Sequence, residues 1–138
     1  MDDHAAILRL FAEYSQAVDG RRPEDVAALF TSDGVFEVMG ATVVGREAIA
    51  SMYRGYIAMG ALVCDKHVPF NAVVSIDGDR ATARLDWCVL RGDGPAWQVH
   101  AAGHYEDELV KTDRWRFARR IDVLEGPVPP DAEPVTVH

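Results

Sequence analysis

Two side chains in the first half of the chain have the chemistry of an acid–base pair: Asp19, at the end of an amphipathic helix, and His67, at the start of a long strand. A neutral imidazole is a good base near pH 7. Tyr14, one helical turn and a little more before Asp19, adds a hydroxyl that could donate to a leaving hydroxyl or a developing enolate. One acid, one histidine, a helix lid and a curved sheet are the parts of a small pocket enzyme. Each residue also has a plainer reading. Asp19 beside Gly20 suits a turn or cap, and a regular helix would carry it off the apolar stripe. His67 could be a strand histidine bonded to backbone or water, and Tyr14 could be core packing.

The remaining candidates are weaker. His100 and His104 alternate away from Tyr105, so both are expected outward or at an interface. Glu106-Asp107-Glu108 reads as a solvated hairpin end, although Asp107 shares a face with Tyr105. Asp65 and His67 share a strand face without further ligands, so no metal is expected. Gly92-Asp93-Gly94 is a turn and not a phosphate loop, and no cofactor is implied.

The formal charge of −8, from 14 basic and 22 acidic side chains, argues against nucleic acid or an anionic membrane as partner. Cys64 and Cys88 fit neither a disulfide framework nor a zinc pattern. No apolar run approaches a membrane span, and the Met-Asp-Asp-His start is unlike a signal peptide, so a cytoplasmic protein is expected.

These side chains need elements to position them. Ile7, Leu10, Phe11, Tyr14, Ala17 and Val18 recur at helical spacing and predict a helix from about Asp3 to Val18. Pro23 opens a short second helix, and Thr31-Ser32-Asp33-Gly34 reads as a turn. Strands follow at Val35–Val38 and Thr42–Val44, then a third helix from Arg46 to Met59. Three long strands come next, about 62–76, 79–91 and 96–111, the first two joined by Asp77-Gly78. A last strand runs from Arg114 to Leu124 and completes a hairpin bearing Tyr105 on one arm and Trp115 and Phe117 on the other. Helices first and antiparallel strands after predict an α+β domain over residues 1–125. Residues 126–138 hold four of the seven prolines and are expected to run extended or disordered.

The Asp77-Gly78 turn fixes which way His67 points. If Ile76 faces Asp79, His67 faces Cys88. One sheet face then carries Val68, Phe70, Ala81, Ala83, Leu85, Trp87 and Val89, and the other carries His67 and Leu90 among polar residues. Either the apolar face is the core and His67 is on the surface, or the mixed face lines a pocket and the apolar face is a subunit interface. Pro69 marks an edge or a bulge that would shift this register.

The order of motifs resembles the nuclear transport factor 2-like superfamily, in particular its SnoaL-like branch. The resemblance rests on Tyr14-x4-Asp19, Phe30-Thr31-Ser32-Asp33-Gly34, Gly45-Arg46-Glu47-Ala48-Ile49, His67-x3-Asn71, Asp77-Gly78-Asp79-Arg80-Ala81, and Gly103-x-Tyr105-x-Asp107 before Trp115. That branch includes polyketide cyclases and the scytalone dehydratase, bile-acid dehydratase and dehydrochlorinase types. The resemblance implies a cone-shaped α+β barrel, with three helices on the concave face of a strongly curved, mostly antiparallel sheet. It implies an Asp19–His67 dyad assisted by Tyr14. Phe36, Leu90, Tyr105 and a last-strand arginine, Arg120 rather than Arg119, would line the pocket. The second histidine of scytalone dehydratase has no counterpart. The implied activity is a cofactor-independent lyase acting on a small hydrophobic, cyclic substrate. A cyclase, an isomerase and a non-catalytic binding module are the alternatives. The favoured assembly is a homodimer, with a trimer as alternative, through the face bearing Val68, Phe70, Leu85, Trp87 and Val89.

Overall fold

The computed structural model describes residues 1–126. The expected Pro-rich tail, apart from Gly126, lies outside them. Three helices and six strands follow one another: α1 (Asp3–Asp19), α2 (Pro23–Ala28), β1 (Phe30–Val38), β2 (Ala41–Val44), α3 (Arg46–Ala58), β3 (Asp65–Asp77), β4 (Arg80–Asp93), β5 (Ala96–Lys111) and β6 (Trp115–Glu125). The strands form one curved sheet in the order β2-β1-β6-β5-β4-β3. Every pairing is antiparallel except β1 with β6. The sheet does not close, because β2 and β3 are its two edges. The fold is the expected α+β one, with an open sheet in place of a closed barrel.

Local sequence explains α1 well. Asp2 caps it, accepting from the Ala5 N–H at 2.7 Å. Ile7, Leu10, Phe11, Tyr14, Ala17 and Val18 are all buried against the sheet. The helix stops at Gly20, whose N–H donates to the Gln16 carbonyl. Two local expectations fail. Thr31 to Gly34 continue β1, as an irregularity in its pairing with β6 between Phe30 and Val35, and do not form a separate turn. The β3–β4 turn is centred on Gly78 and Asp79, with Asp77 opposite Arg80 and Ile76 opposite Ala81. Gly78 takes φ +61, and glycine at the first of two central residues suits a primed hairpin turn.

That one-residue shift would pair His67 with Leu90. A second irregularity, between Phe70 and Val73, with Asn71 at φ +54, slips the register again and puts His67 opposite Val89. Neither reading of the faces survives whole. The apolar face of β4 is the core, with Ala81, Ala83, Leu85, Trp87 and Val89 all buried. His67 points to that same side, because the bulge inverts the alternation of the first half of β3. Val89, and not the expected Cys88, is therefore its cross-strand partner.

The proposed assembly face is corrected by the same fact. Leu85, Trp87 and Val89 are covered within this chain and offer no interface. Val68 and Phe70 pair with Cys88 and Asp86 on the opposite, outer side. Pro69 sits on an edge strand, where a missing N–H is tolerated. No helix among the described residues is long and apolar enough to cross a membrane.

Candidate active site

Asp19 is the last residue of α1, and α1 lies along β3. The helix end thus delivers a carboxylate to the start of the strand. Asp19 Oδ1 lies 2.7 Å from His67 Nδ1, and the His67 backbone N–H reaches both carboxylate oxygens at 3.0 Å. The grip on both ring and backbone leaves the imidazole little rotational freedom. With its Nδ1–H donated to the carboxylate, the ring presents Nε2 as the basic nitrogen. Both side chains are largely sheltered, His67 at 13% and Asp19 at 23% exposure.

Tyr14 is buried, and its hydroxyl is hydrogen-bonded to that of Tyr53 on α3. Burial lifts both phenols well above their usual range. They stay protonated at neutral pH, so the pair can donate a hydrogen bond but cannot serve as a base. Phe36 packs 6.5 Å from Tyr14 and 6.1 Å from Tyr53, ring centre to ring centre. Tyr105 packs 5.9 Å from Tyr14. Leu90 is half-buried, pairs with Lys66 and Val99, and does not share His67's face.

Of the two candidate arginines, Arg120 is the internal one. It is fully buried, with its guanidinium carbon 3.5 Å from the Tyr105 ring centre and 4.2 Å from that of Tyr14. Arg119 instead turns to Glu37. Arg120 donates to Asp107 through Nε at 3.0 Å and Nη2 at 3.3 Å. Asp107 is therefore not a solvated hairpin residue. Burial pushes its carboxyl up to about 7, with Arg120 pulling it back. Asp122, the cross-strand partner of Tyr105, is pushed up to about 6 by burial, against the pull of Arg120 and His67.

Sequence reasoning missed Asp107 and Asp122 as interior groups and favoured Trp87 as an interface residue. The Asp107–Arg120 pair had a signal, since opposite charges at inward positions of one hairpin invite pairing. A register shift between Glu108 and Leu109 hid it. His104 turns away from Tyr105 but is buried within the chain and not outward as expected, with Glu125 bound to its ring. Among the described residues, no group of three or more His, Cys, Asp or Glu stands ready to hold a metal ion.

Residues 1–121 match the SnoaL-like domain. The chain belongs to the SnoaL-like family. An uncharacterised protein of Mycobacterium tuberculosis is 31% identical over 129 residues, covering 88% of this chain and 85% of its own. A nuclear transport factor 2-like protein with a cystatin-like fold from Novosphingobium aromaticivorans superposes with a TM-score of 0.80 at 30% identity, covering 88% of this chain and 81% of that one. A protein from the same organism, provisionally named a scytalone dehydratase, gives a TM-score of 0.74 at 25% identity, covering 89% and 84%. This SnoaL-like neighbourhood is one of small-molecule-processing enzymes, and its superfamily binds small hydrophobic ligands.

Proposed function

We propose that the chain is a lyase of the dehydratase type, acting on a small, hydrophobic, cyclic hydroxy-carbonyl compound with His67 as the base. The observation that carries this reading is the Asp19–His67 contact, in which one carboxylate holds both the ring and the backbone of the histidine. The solved structure provisionally named a scytalone dehydratase supports the same class of reaction.

The chemistry follows from the parts. His67 Nε2 takes a proton from the carbon beside the carbonyl, and that C–H pair becomes the enolate. The Asp19 carboxylate stabilises the imidazolium through Nδ1–H. The Tyr14–Tyr53 pair, kept neutral by burial, donates a hydrogen bond to the developing oxyanion and keeps its own protons. When the enolate collapses, the β-carbon–oxygen bond breaks. The departing hydroxyl takes the proton from the His67 imidazolium, so water leaves and the neutral base returns. The reaction needs no group beyond these side chains and the substrate.

The test is turnover of a panel of hydrophobic hydroxy-carbonyl compounds, beside binding measured by calorimetry. His67→Ala should lower turnover by ~10²–10⁴-fold, the usual contribution of a positioned base, while weakening binding far less. Asp19→Asn should impair turnover as well, because an amide cannot stabilise the imidazolium. Full activity in His67→Ala would remove the base assignment. Tight binding by the wild type without turnover of any compound would make the chain a binding module.

A further inference from the structure

The first half of β3 has two registers open to it. Beyond the Gly78-Asp79 turn, Ile76 faces Ala81. Unbroken alternation from there would set His67 opposite Leu90, Lys66 opposite Arg91 and Asp65 opposite Gly92. The structure instead holds Asn71 and Ala72 against Leu85 alone, between the pairs Phe70–Asp86 and Val73–Arg84. Every earlier residue is displaced by one, and Asp65 comes opposite Arg91. One step of register turns each side chain over, so the straight register would point His67 away from Asp19.

The displaced register carries a cost. It leaves one residue out of the ladder and holds Asn71 at φ +54, in the left-handed region. An edge strand has a single neighbour to hold it in place, here β4. The grip of Asp19 on His67 offsets part of that cost. Charge offsets more. Arg91 Nε donates to Asp65 Oδ1 at 2.7 Å and Nη2 donates to Oδ2 at 2.9 Å, a two-point fork that fixes geometry as well as distance. The Asp65 side chain is only 5% exposed, and the guanidinium beside it holds its carboxyl below the usual range. In the straight register the same arginine would face Lys66, a like charge, and Asp65 would face Gly92. Opposite charges directly across a strand pair stabilise it, and like charges destabilise it. In the displaced register Lys66 is exposed opposite Leu90. One step farther out, the Gly92 N–H donates to the Cys64 carbonyl at 3.0 Å, so the displaced register runs past the start of β3.

We propose that Asp65 and Arg91 are positioning residues that select the displaced register of β3, with Lys66 as the repelling group in the other, and so turn His67 inward to Asp19. Fixing register is the best-attested role of a sheltered ion pair. Neither residue of the pair is needed at the reacting atoms; both act through His67, which lies two residues from Asp65 on the same face. The inference deepens the lyase reading by naming what aims its base. It rests on that reading for turnover and not for the geometry.

The experiment is nitrogen NMR of the His67 imidazole in the full chain without ligand, with proton contacts from His67 to β4 reporting the register. The His67 signal is assigned by its loss in His67→Ala. The wild type should give one signal and contact with Val89. Arg91→Glu puts an acid opposite Asp65 in the displaced register and opposite Lys66 in the straight one. A second imidazole signal, with contact to Leu90, should then carry about a tenth of the intensity or more. Asp65→Asn combined with Lys66→Glu leaves Arg91 in place and should do the same, and it decides the matter if Arg91→Glu does not fold. Asp65→Lys, Lys66→Glu and Arg91→Glu together again set opposite charges across the displaced register and like charges across the straight one, and should restore the single signal. A folded Arg91→Glu or double variant with the wild-type signal and the Val89 contact alone would overturn the proposal. So would a triple variant that folds but keeps the second signal. A wild type that turns over no compound, while the variants behave as expected, leaves the register selection standing and removes the lyase reading.

Discussion

Four residues of the proposed site owe their properties to one another. Asp19 would be an ordinary helix-end acid without His67, and the histidine would be free to turn without the carboxylate on its Nδ1. Tyr14 and Tyr53 show the same dependence. Each hydroxyl is the other's partner in a site closed to water, so removing one strands the other. Tyr14→Phe and Tyr53→Phe should therefore each destabilise the fold by about 1–2 kcal/mol, and the double variant by clearly less than the sum. Denaturant titration of the four proteins in this cycle measures the coupling; strictly additive losses would show that the pair is not a unit. Turnover in Tyr14→Phe should fall less than in His67→Ala, because the Tyr53 hydroxyl is left to donate while nothing replaces a held base.

At the scale of elements, the irregularity in β3 decides whether the protein has a dyad at all. Above it, Val74 and Ile76 face the core opposite Ala83 and Ala81; below it, His67 and Pro69 do so opposite Val89 and Trp87. Odd and even positions exchange sides across Asn71 and Ala72. Inserting one alanine between Val68 and Pro69 should move His67 opposite Leu90 and turn its ring outward. We expect the variant to fold with its helices intact and to lose both turnover and the Nδ1 hydrogen bond to Asp19, visible as a changed imidazole signal in nitrogen NMR. An insertion variant with an unaltered histidine signal would mean that contacts with α1, and not the register, hold the ring in place.

The whole molecule carries a pH signature from its interior. Burial raises Asp122 from 3.8 to about 6 and Asp107 from 3.8 to about 7. Between the unfolded and folded values the native chain keeps protons that the unfolded chain has released. Stability from these groups is thus fully present below about pH 4 and is lost as pH rises through 6 to 7. Asp122→Asn removes one of the two, so it should flatten the dependence over that window. It should also stabilise the protein above pH 7 by up to about 3 kcal/mol, the equivalent of two units. Melting temperatures of wild type and variant across the window give the difference directly. A difference that does not change with pH would show that Asp122 is charged throughout. The charge retained in the interior at neutral pH is a cost to stability.

Local sequence by itself determined what depends on near neighbours. The stripe of Ile7, Leu10, Phe11 and Tyr14 made α1 amphipathic and put Tyr14 in the core. The helices-first order and the long hairpins set the α+β class, and the motif order matched the SnoaL-like family that residues 1–121 belong to. What only the tertiary structure decided is which side each strand residue faces. Side chains on a strand alternate with a period of two, so a single extra residue reverses every position beyond it. Pro69 signalled an edge or a bulge, but not where the extra residue falls, because that is set by the pairing of β3 with β4 and its packing against α1. The same limit hid the burial of Trp87, favoured as an interface residue but buried in the core beside Tyr105 and Gly103. It also hid the Asp107–Arg120 pair, whose partners meet only after a register shift between Glu108 and Leu109. Composition and periodicity are sums over near neighbours, whereas register and burial are set by contacts between residues far apart in the chain.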